Sequence, residues 1–144
     1  VEEAINDFIR AMPLAIRSES GLLCAHSLPA PIAMPKFDMG VLDRALDETD
    51  FTTRTGSAWS MTWGRGQTQD SVRALTDAWG VKLFVLGHKH VEQGAETPFH
   101  GVVILNSDHE RGAVLAFDLA APLPTAEQAV ASAVPLASMG SMHD

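Results

Sequence analysis

The chain has 144 residues, of which 46% are hydrophobic, so it can bury a core and is not an intrinsically disordered chain. Its formal charge of −8 argues against nucleic acid or an anionic membrane as the main partner. The single cysteine, Cys24, excludes an internal disulfide, and no apolar run approaches the ~20 residues that span a bilayer. These features predict a soluble, cytoplasmic protein.

The first predicted element is a helix over EEAINDFIRAM, which Pro13 ends because its ring blocks continuation. PLAIRS and GLLCAHS follow as two short strands, and the second is apolar enough to be buried on both faces. The proline-rich stretch LPAPIAMPK predicts a loop. FDMGVLDRALDE then predicts a surface helix with Asp38 as its cap.

Residues from Phe51 to Gln69 show no clear period and predict a long loop that contains WGRG. DSVRALTDAW predicts a helix capped by Asp70 and stopped by Gly80. VKLFVLG predicts a buried strand, and GVVILNS and GAVLAFDL predict a pair of strands joined by the turn DHERG. This order indicates a mixed α/β domain over residues 1–119, followed by a loosely packed Ala/Pro/Ser-rich tail over residues 120–144.

Histidines follow two of the predicted buried strands. His88 and His90 lie in GHKH after VKLFVLG, and His26 leaves GLLCA. If the sheet brings these strands together, the imidazoles converge as metal ligands at strand ends. Exposed loop histidines are also common, and spacing alone does not decide between the two interpretations. For the isolated His100 and His143, the ordinary surface role is favoured.

Arg65 lies between two glycines in WGRG, where a phosphate oxygen can approach the guanidinium closely. Without further observations, an ordinary Gly-Arg turn explains the pattern better. Asp108 and His109 lie in the turn between the last two predicted strands, either beside the site or merely closing a hairpin. Lys89 is expected to be solvated.

Three segments together resemble the C-terminal half of the calcineurin-like metallophosphoesterases, within them the phosphoprotein phosphatase branch, over about residues 5–119. AMPLAIRSESGLLCAHSLP is similar to the strand, turn and strand that end in a metal-binding histidine, with Ser27 and Leu28 in place of two glycines. GRGQTQDSVRALTDAWGVKLFVLGHKHVEQGAE is similar to the segment that begins Arg-Gly and ends in V-E-x-G-x-E. GVVILNSDHERGAVLAFDL is similar to the closing strand, active-site loop and strand.

The resemblance implies the C-terminal half of an α/β/β/α sandwich and a centre of two divalent metal ions, Mn, Fe or Zn. By this likeness His26 and His88 bind one metal and His90 the other, while Arg65 holds the substrate phosphate. The implied reaction is two-metal hydrolysis of a phosphomonoester in a phosphoprotein or a nucleotide.

The family's N-terminal motifs D-x-H, G-D-x-x-D and G-N-H-[DE] do not occur in the 144 residues, and the sequence starts at Val1 without a start methionine. We therefore expect a fragment of a serine/threonine protein phosphatase-like enzyme, inactive and marginally stable by itself. One alternative is a non-catalytic binding module derived from the same fold, which the replacement of His-Gly-Gly by HSL favours. Another is a single-site metal-binding protein that uses His26, His88 and His90.

Overall fold

A computed structural model describes residues 2–139, and a mixed five-stranded sheet forms its centre. The strands are β1 Ala15–Arg17, β2 Leu22–Ala25, β3 Leu83–Leu86, β4 Ala95–Phe99 and β5 Val102–Leu105. Their spatial order is β1-β2-β3-β5-β4. The pairs β2·β3 and β3·β5 are parallel, whereas β1 and β4 are antiparallel edge strands. The carboxyl ends of the three central strands therefore meet at one edge of the sheet.

Helices and a second, two-stranded sheet surround this centre. The helices are α1 Glu2–Ala11, α2 Ser57–Trp63, α3 Gln69–Trp79, α4 Ala126–Ala131 and α5 Leu136–Met139. In the small sheet, β6 Ala113–Val114 pairs antiparallel with β7 Val134–Pro135. The predicted mixed α/β character is confirmed. Across residues 2–139, no helix combines the length and apolarity that crossing a membrane requires.

The sheet is buried on both faces, which explains why its central strands are continuous apolar runs. On one face, side chains of the strands pack against side chains of α3. The strand residues are Leu23, Phe84, Leu86, Val102 and Ile104, and the α3 residues are Val72, Leu75 and Trp79. On the other face, α4 contributes small side chains, and the core includes Leu22, Leu83, Val85, Val103, Ala126 and Ala129.

Residues next to α3 set its ends. The Thr68 hydroxyl accepts a hydrogen bond from the Ser71 amide at 3.2 Å, and the Ser71 hydroxyl accepts one from the Thr68 amide at 2.9 Å. This reciprocal capping box makes Thr68 the N-cap, so the prediction of Asp70 as the cap is wrong by two positions. Gly80 ends the helix with a φ of 64°, as predicted.

The predicted surface helix over FDMGVLDRALDE is wrong. Only a short 3-10 turn, Val41–Asp43, forms there. The Asp38 carboxylate accepts hydrogen bonds from the Gly40 amide at 2.8 Å and from Arg44 Nε at 2.8 Å. These local hydrogen bonds compete with those of a helix, and the Arg44 backbone is extended rather than helical.

Two further predictions are wrong, one for the segment before α3 and one for the pairing of the last two predicted strands. The long loop from Phe51 to Gln69 contains α2, in which Ala58 and Met61 are buried. GVVILNS and GAVLAFDL do not pair with each other, because β5 pairs with the unpredicted strand β4 and β6 joins β7.

The expectation of loose packing beyond residue 119 is wrong for α4. Thr125 and Gln128 form a capping box at its start, and Ala126 and Ala129 are buried against the sheet. Small side chains allow a helix to approach a sheet closely, which a hydropathy pattern alone does not reveal. Residues 140–144, including His143, lie outside the described residues.

A partly buried ion pair between Arg44 and Asp50 holds the segment between β2 and α2. The Asp50 side chain is only 3% exposed, and Arg44 donates to both of its carboxylate oxygens at 2.7 Å. The Asp47 amide donates to the same carboxylate at 2.9 Å. The hydrogen bonds from Arg44 hold the pKa of Asp50 below its usual value.

Asp50→Asn is expected to flatten the acid dependence of stability. Because the folded-state pKa of Asp50 is lowered, its carboxylate stabilises the fold above the unfolded-state pKa of about 4, and this contribution is lost as pH falls through the folded-state pKa. Thermal melts between about pH 7 and pH 2.5 measure how the Tm of each variant falls with pH. Asp43→Asn, at the exposed ion pair with Arg17, is the control. Equal slopes of Tm against pH for wild type and Asp50→Asn would contradict the prediction.

Leu75→Ala is expected to destabilise the fold by about 2–5 kcal/mol, because a fully buried leucine leaves a cavity between α3 and the sheet. Ile32→Ala is the matched control, since Ile32 is 92% exposed, and its cost should stay within about 0.5 kcal/mol. Urea unfolding measures both. A Leu75→Ala protein as stable as Ile32→Ala would show that α3 does not cover the core as described.

Candidate functional site

Five of the six predicted site residues follow the three central strands at their carboxyl ends. His26 follows β2, His88 and His90 follow β3, and Asp108 and His109 follow β5. Since β2, β3 and β5 are neighbours and parallel, these five side chains belong to one edge of the sheet. Ligand sites in open α/β sheets lie at this kind of edge.

His26 and His88 are in direct contact. His26 Nε2 lies 2.9 Å from His88 Nδ1, and the ring centroids are 4.7 Å apart in an edge-on arrangement. The Gly87 amide donates to the His26 carbonyl at 3.1 Å and so extends the pairing of β2 and β3 past the strand ends. Trp63 of α2 packs edge-on against the His88 ring, with centroids 6.0 Å apart.

His88 has an unusual backbone conformation. Its φ is 63°, a left-handed value that non-glycine residues rarely adopt. The next amide, that of Lys89, donates to the Gly87 carbonyl at 2.7 Å, so the chain turns sharply at His88. Conformations of this kind persist where surrounding contacts enforce them, and they concentrate at functional sites.

The His88 imidazole has an unsatisfied nitrogen. Its Nε2 is buried and finds no hydrogen-bond partner among residues 2–139. Burial lowers the pKa of His88, and its electrostatic interactions with Arg65 and His26 lower it further, so the ring is neutral at neutral pH. A neutral imidazole with a buried, unpartnered nitrogen fits a metal ligand, because only the neutral ring offers a lone pair.

Arg65 and His88 line the same cavity of about 170 Å³, between the α2–α3 connection and the end of β3. The Arg65 side chain is exposed and makes no ion pair with any carboxylate of residues 2–139. A guanidinium that is free of protein carboxylates can bind an anionic group with two hydrogen bonds.

The glycine before Arg65 is required by a close backbone approach. A Cβ atom on Gly64 would lie 1.9 Å from the Leu28 carbonyl oxygen. Ser27, which is buried, donates its hydroxyl to the Gly64 carbonyl at 2.7 Å, and Gln67 donates its side-chain amide to the Leu28 carbonyl at 2.6 Å. The Arg65 loop is therefore attached to the residues that follow His26.

Sequence reasoning did not identify Ser27, Gln67 and Trp63 as residues that shape this site. Ser27 was noted only as a replacement for a glycine. The hydrogen bond from Ser27 to Gly64 joins residues 37 positions apart, so it cannot be predicted from a local sequence pattern. The paired glycines around Arg65 were the available signal.

His90 lies in a second group of side chains, with Asp108 and His109. One ligand atom from each of the three residues lies within 4.8 Å of the others, and the His90 and His109 ring centroids are 4.7 Å apart. Among residues 2–139, no other trio of His, Cys, Asp or Glu side chains meets this spacing. The structure thus divides the candidates into two groups. In the first, Arg65 and His88 line one cavity and His26 contacts His88; in the second, His90, Asp108 and His109 lie together farther along the edge.

No protein-family model and no curated protein matches this sequence. The likeness to the metallophosphoesterases therefore rests on the quoted motifs.

Gly64→Ala is expected to destabilise the protein more than Gly66→Ala. The added methyl at position 64 would overlap the Leu28 carbonyl, which forces the Arg65 loop away from β2. At position 66 the φ is 69° and no atom lies within 4 Å, so only the left-handed backbone cost of about 1–2 kcal/mol applies. Thermal melts compare the two variants, and a higher Tm for Gly66→Ala is the expected order. The reverse order would mean that the loop is not held against Leu28.

Proposed function

We propose that this chain is the C-terminal part of a metal-dependent phosphoesterase that hydrolyses phosphomonoesters. The observation that carries the proposal is that Arg65 and His88 line one cavity at the carboxyl edge of a parallel strand set. A cation that binds phosphate oxygens beside an imidazole that suits a metal is the pairing that metal-assisted phosphoester hydrolysis needs. The finer architecture we propose is the C-terminal half of an α/β/β/α sandwich.

In this proposal, His26 and His88 hold one divalent ion and His90 holds the other. When bound, Mn, Fe or Zn would supply Lewis acidity and lower the pKa of water. His88 is suited to its role by its neutral ring and its unsatisfied Nε2.

Arg65 has a separate role, which is to bind and orient the phosphoryl group. Its planar guanidinium can donate two parallel hydrogen bonds to phosphate oxygens, and Gly64 and Gly66 leave the approach free of side chains. Lys89 is a poorer candidate for this role, because its ammonium group pairs with Glu96 at 2.7 Å. The substrate class is a phosphoprotein or a nucleotide phosphomonoester.

An exposed apolar surface supports the view that further protein covers this half of the domain. Apolar side chains of α1, β1 and the connection between them are more than half exposed, namely Ile5, Phe8, Ile9, Met12 and Ile16. We propose that other residues of the intact protein cover this face and supply the carboxylates that bridge two metals in such centres.

A non-catalytic binding module of the same fold is the second candidate. It is favoured by Ser27 and Leu28, which are buried and fill the space after His26 where the metallophosphoesterase pattern has two glycines. In this case Arg65 would bind a phosphate group without cleaving it.

The test uses the complete product of the gene that encodes this chain, purified with Mn²⁺. It is expected to hydrolyse p-nitrophenyl phosphate or a phosphopeptide, and Arg65→Ala should lower kcat/KM by about 10²–10³-fold because a transition-state donor is lost. Arg73→Ala, at an exposed position of α3, is the matched control.

Two results separate the candidates. Hydrolysis that depends on Arg65 but not on Arg73 supports the phosphoesterase. Absence of hydrolysis with retained, Arg65-dependent binding of a phosphopeptide would replace it by the binding module.

A further inference from the structure

We infer that His90, Asp108 and His109 are the protein ligands of a Zn²⁺ site that this chain forms by itself. The inference adds detail to the proposed function at His90. It rests on that function only where it places this ion next to a second metal held by His26 and His88. It adds two ligands, Asp108 and His109, and it holds whether or not the intact protein cleaves phosphoesters.

The three side chains have the chemistry that zinc prefers. Two imidazoles and one carboxylate form a common three-ligand zinc set, which leaves a fourth position open for water or substrate. Their ligand atoms already lie within 4.8 Å of one another. Zinc bonds of about 2.0–2.2 Å require a modest contraction of this group, and the exposed side chains of His90 and Asp108 have room to make it.

His109 is held in the manner of a metal-binding histidine. Its Nε2 lies 3.0 Å from the Val91 carbonyl oxygen, which can only accept, so the ring proton is on Nε2. The lone pair is then on Nδ1, which accepts a hydrogen bond from the Arg111 amide at 3.2 Å. A zinc ion would replace that long bond at an exposed amide, while the Val91 carbonyl would keep the ring oriented.

Hydrogen bonds join the two loops that carry the ligands, without a metal. The Asn106 side-chain oxygen accepts a hydrogen bond from the Val91 backbone amide at 3.3 Å, and the Asn106 backbone amide donates one to the Gly94 carbonyl at 2.8 Å. Gly94 has a φ of 77°, and a Cβ there would lie 2.4 Å from the Arg111 carbonyl oxygen. The backbone therefore sets the spacing of His90 from Asp108 and His109 before any ion binds.

The surrounding charges favour a cation at this place. The neighbouring basic residues are each matched to an acid, Lys89 to Glu96 at 2.7 Å and Arg111 to Glu92 at 3.9 Å. Asp108 forms no ion pair within residues 2–139, so its negative charge is uncompensated. The chain as a whole carries a formal charge of −8.

The experiment titrates the 144-residue chain with Zn²⁺ by calorimetry and with Co²⁺ by visible absorption, in a His26→Ala/His88→Ala background that removes the other candidate ligands. One ion per chain is expected to bind in this background. Adding Asp108→Asn or His109→Ala should weaken Zn²⁺ binding by at least about 10-fold and alter the Co²⁺ spectrum. Asp77→Asn and His100→Ala, both exposed, are the matched controls and should change neither.

Circular dichroism of each variant checks that it is folded. Asp108→Asn serves as the decisive variant because Asp108 is exposed and makes no ion pair with any residue from 2 to 139. The inference is overturned if the double-variant background binds no Zn²⁺, or if Asp108→Asn binds it as tightly as Asp77→Asn. Either result leaves Arg65-dependent hydrolysis by the intact protein to be judged separately. Conversely, zinc binding that depends on Asp108, without hydrolysis, would keep this site and reject the phosphoesterase.

Discussion

Parallel pairing of β2, β3 and β5 is the constraint on which the candidate site depends. The register places Ala25 opposite Leu86, and Leu86 opposite Ile104, so the three strands end nearly level with one another. The residues that leave them must then share one edge. His26 meets His88 because β2 borders β3, and His90 meets His109 because β5 borders β3 on the other side.

Strand pairing brings the histidines to one edge of the sheet, and the main-chain conformation after β3 sets which neighbours each imidazole contacts. The left-handed backbone and the sharp turn at His88 separate the two histidines of GHKH into different groups. One imidazole packs against His26 and Trp63, and the other against His109. The two histidines of this short motif thus lie in two neighbouring groups of side chains.

Predictions from sequence succeeded where the local pattern and the tertiary environment agree. β2, β3 and β5 are buried on both faces and appear as apolar runs, and Gly80 ends α3 because only glycine takes a left-handed φ at little cost. β4 was missed because AETPF is a half-buried edge strand with a proline and an irregular register. α2 was missed because its serines and tryptophans have modest helix propensity, and burial of Ala58 and Met61 stabilises it.

The candidate residues could be identified without the structure, since strand exits, paired glycines and histidine spacing are local properties of the chain. Residue spacing could not show which candidates are in contact. His26 and His88 are 62 positions apart, Ser27 and Gly64 are 37, and each contact follows from strand order and loop packing. The proximity of His90 to Asp108 and His109 is visible only in the folded chain, because the distance between loops that follow separate strands is set by how the sheet is assembled.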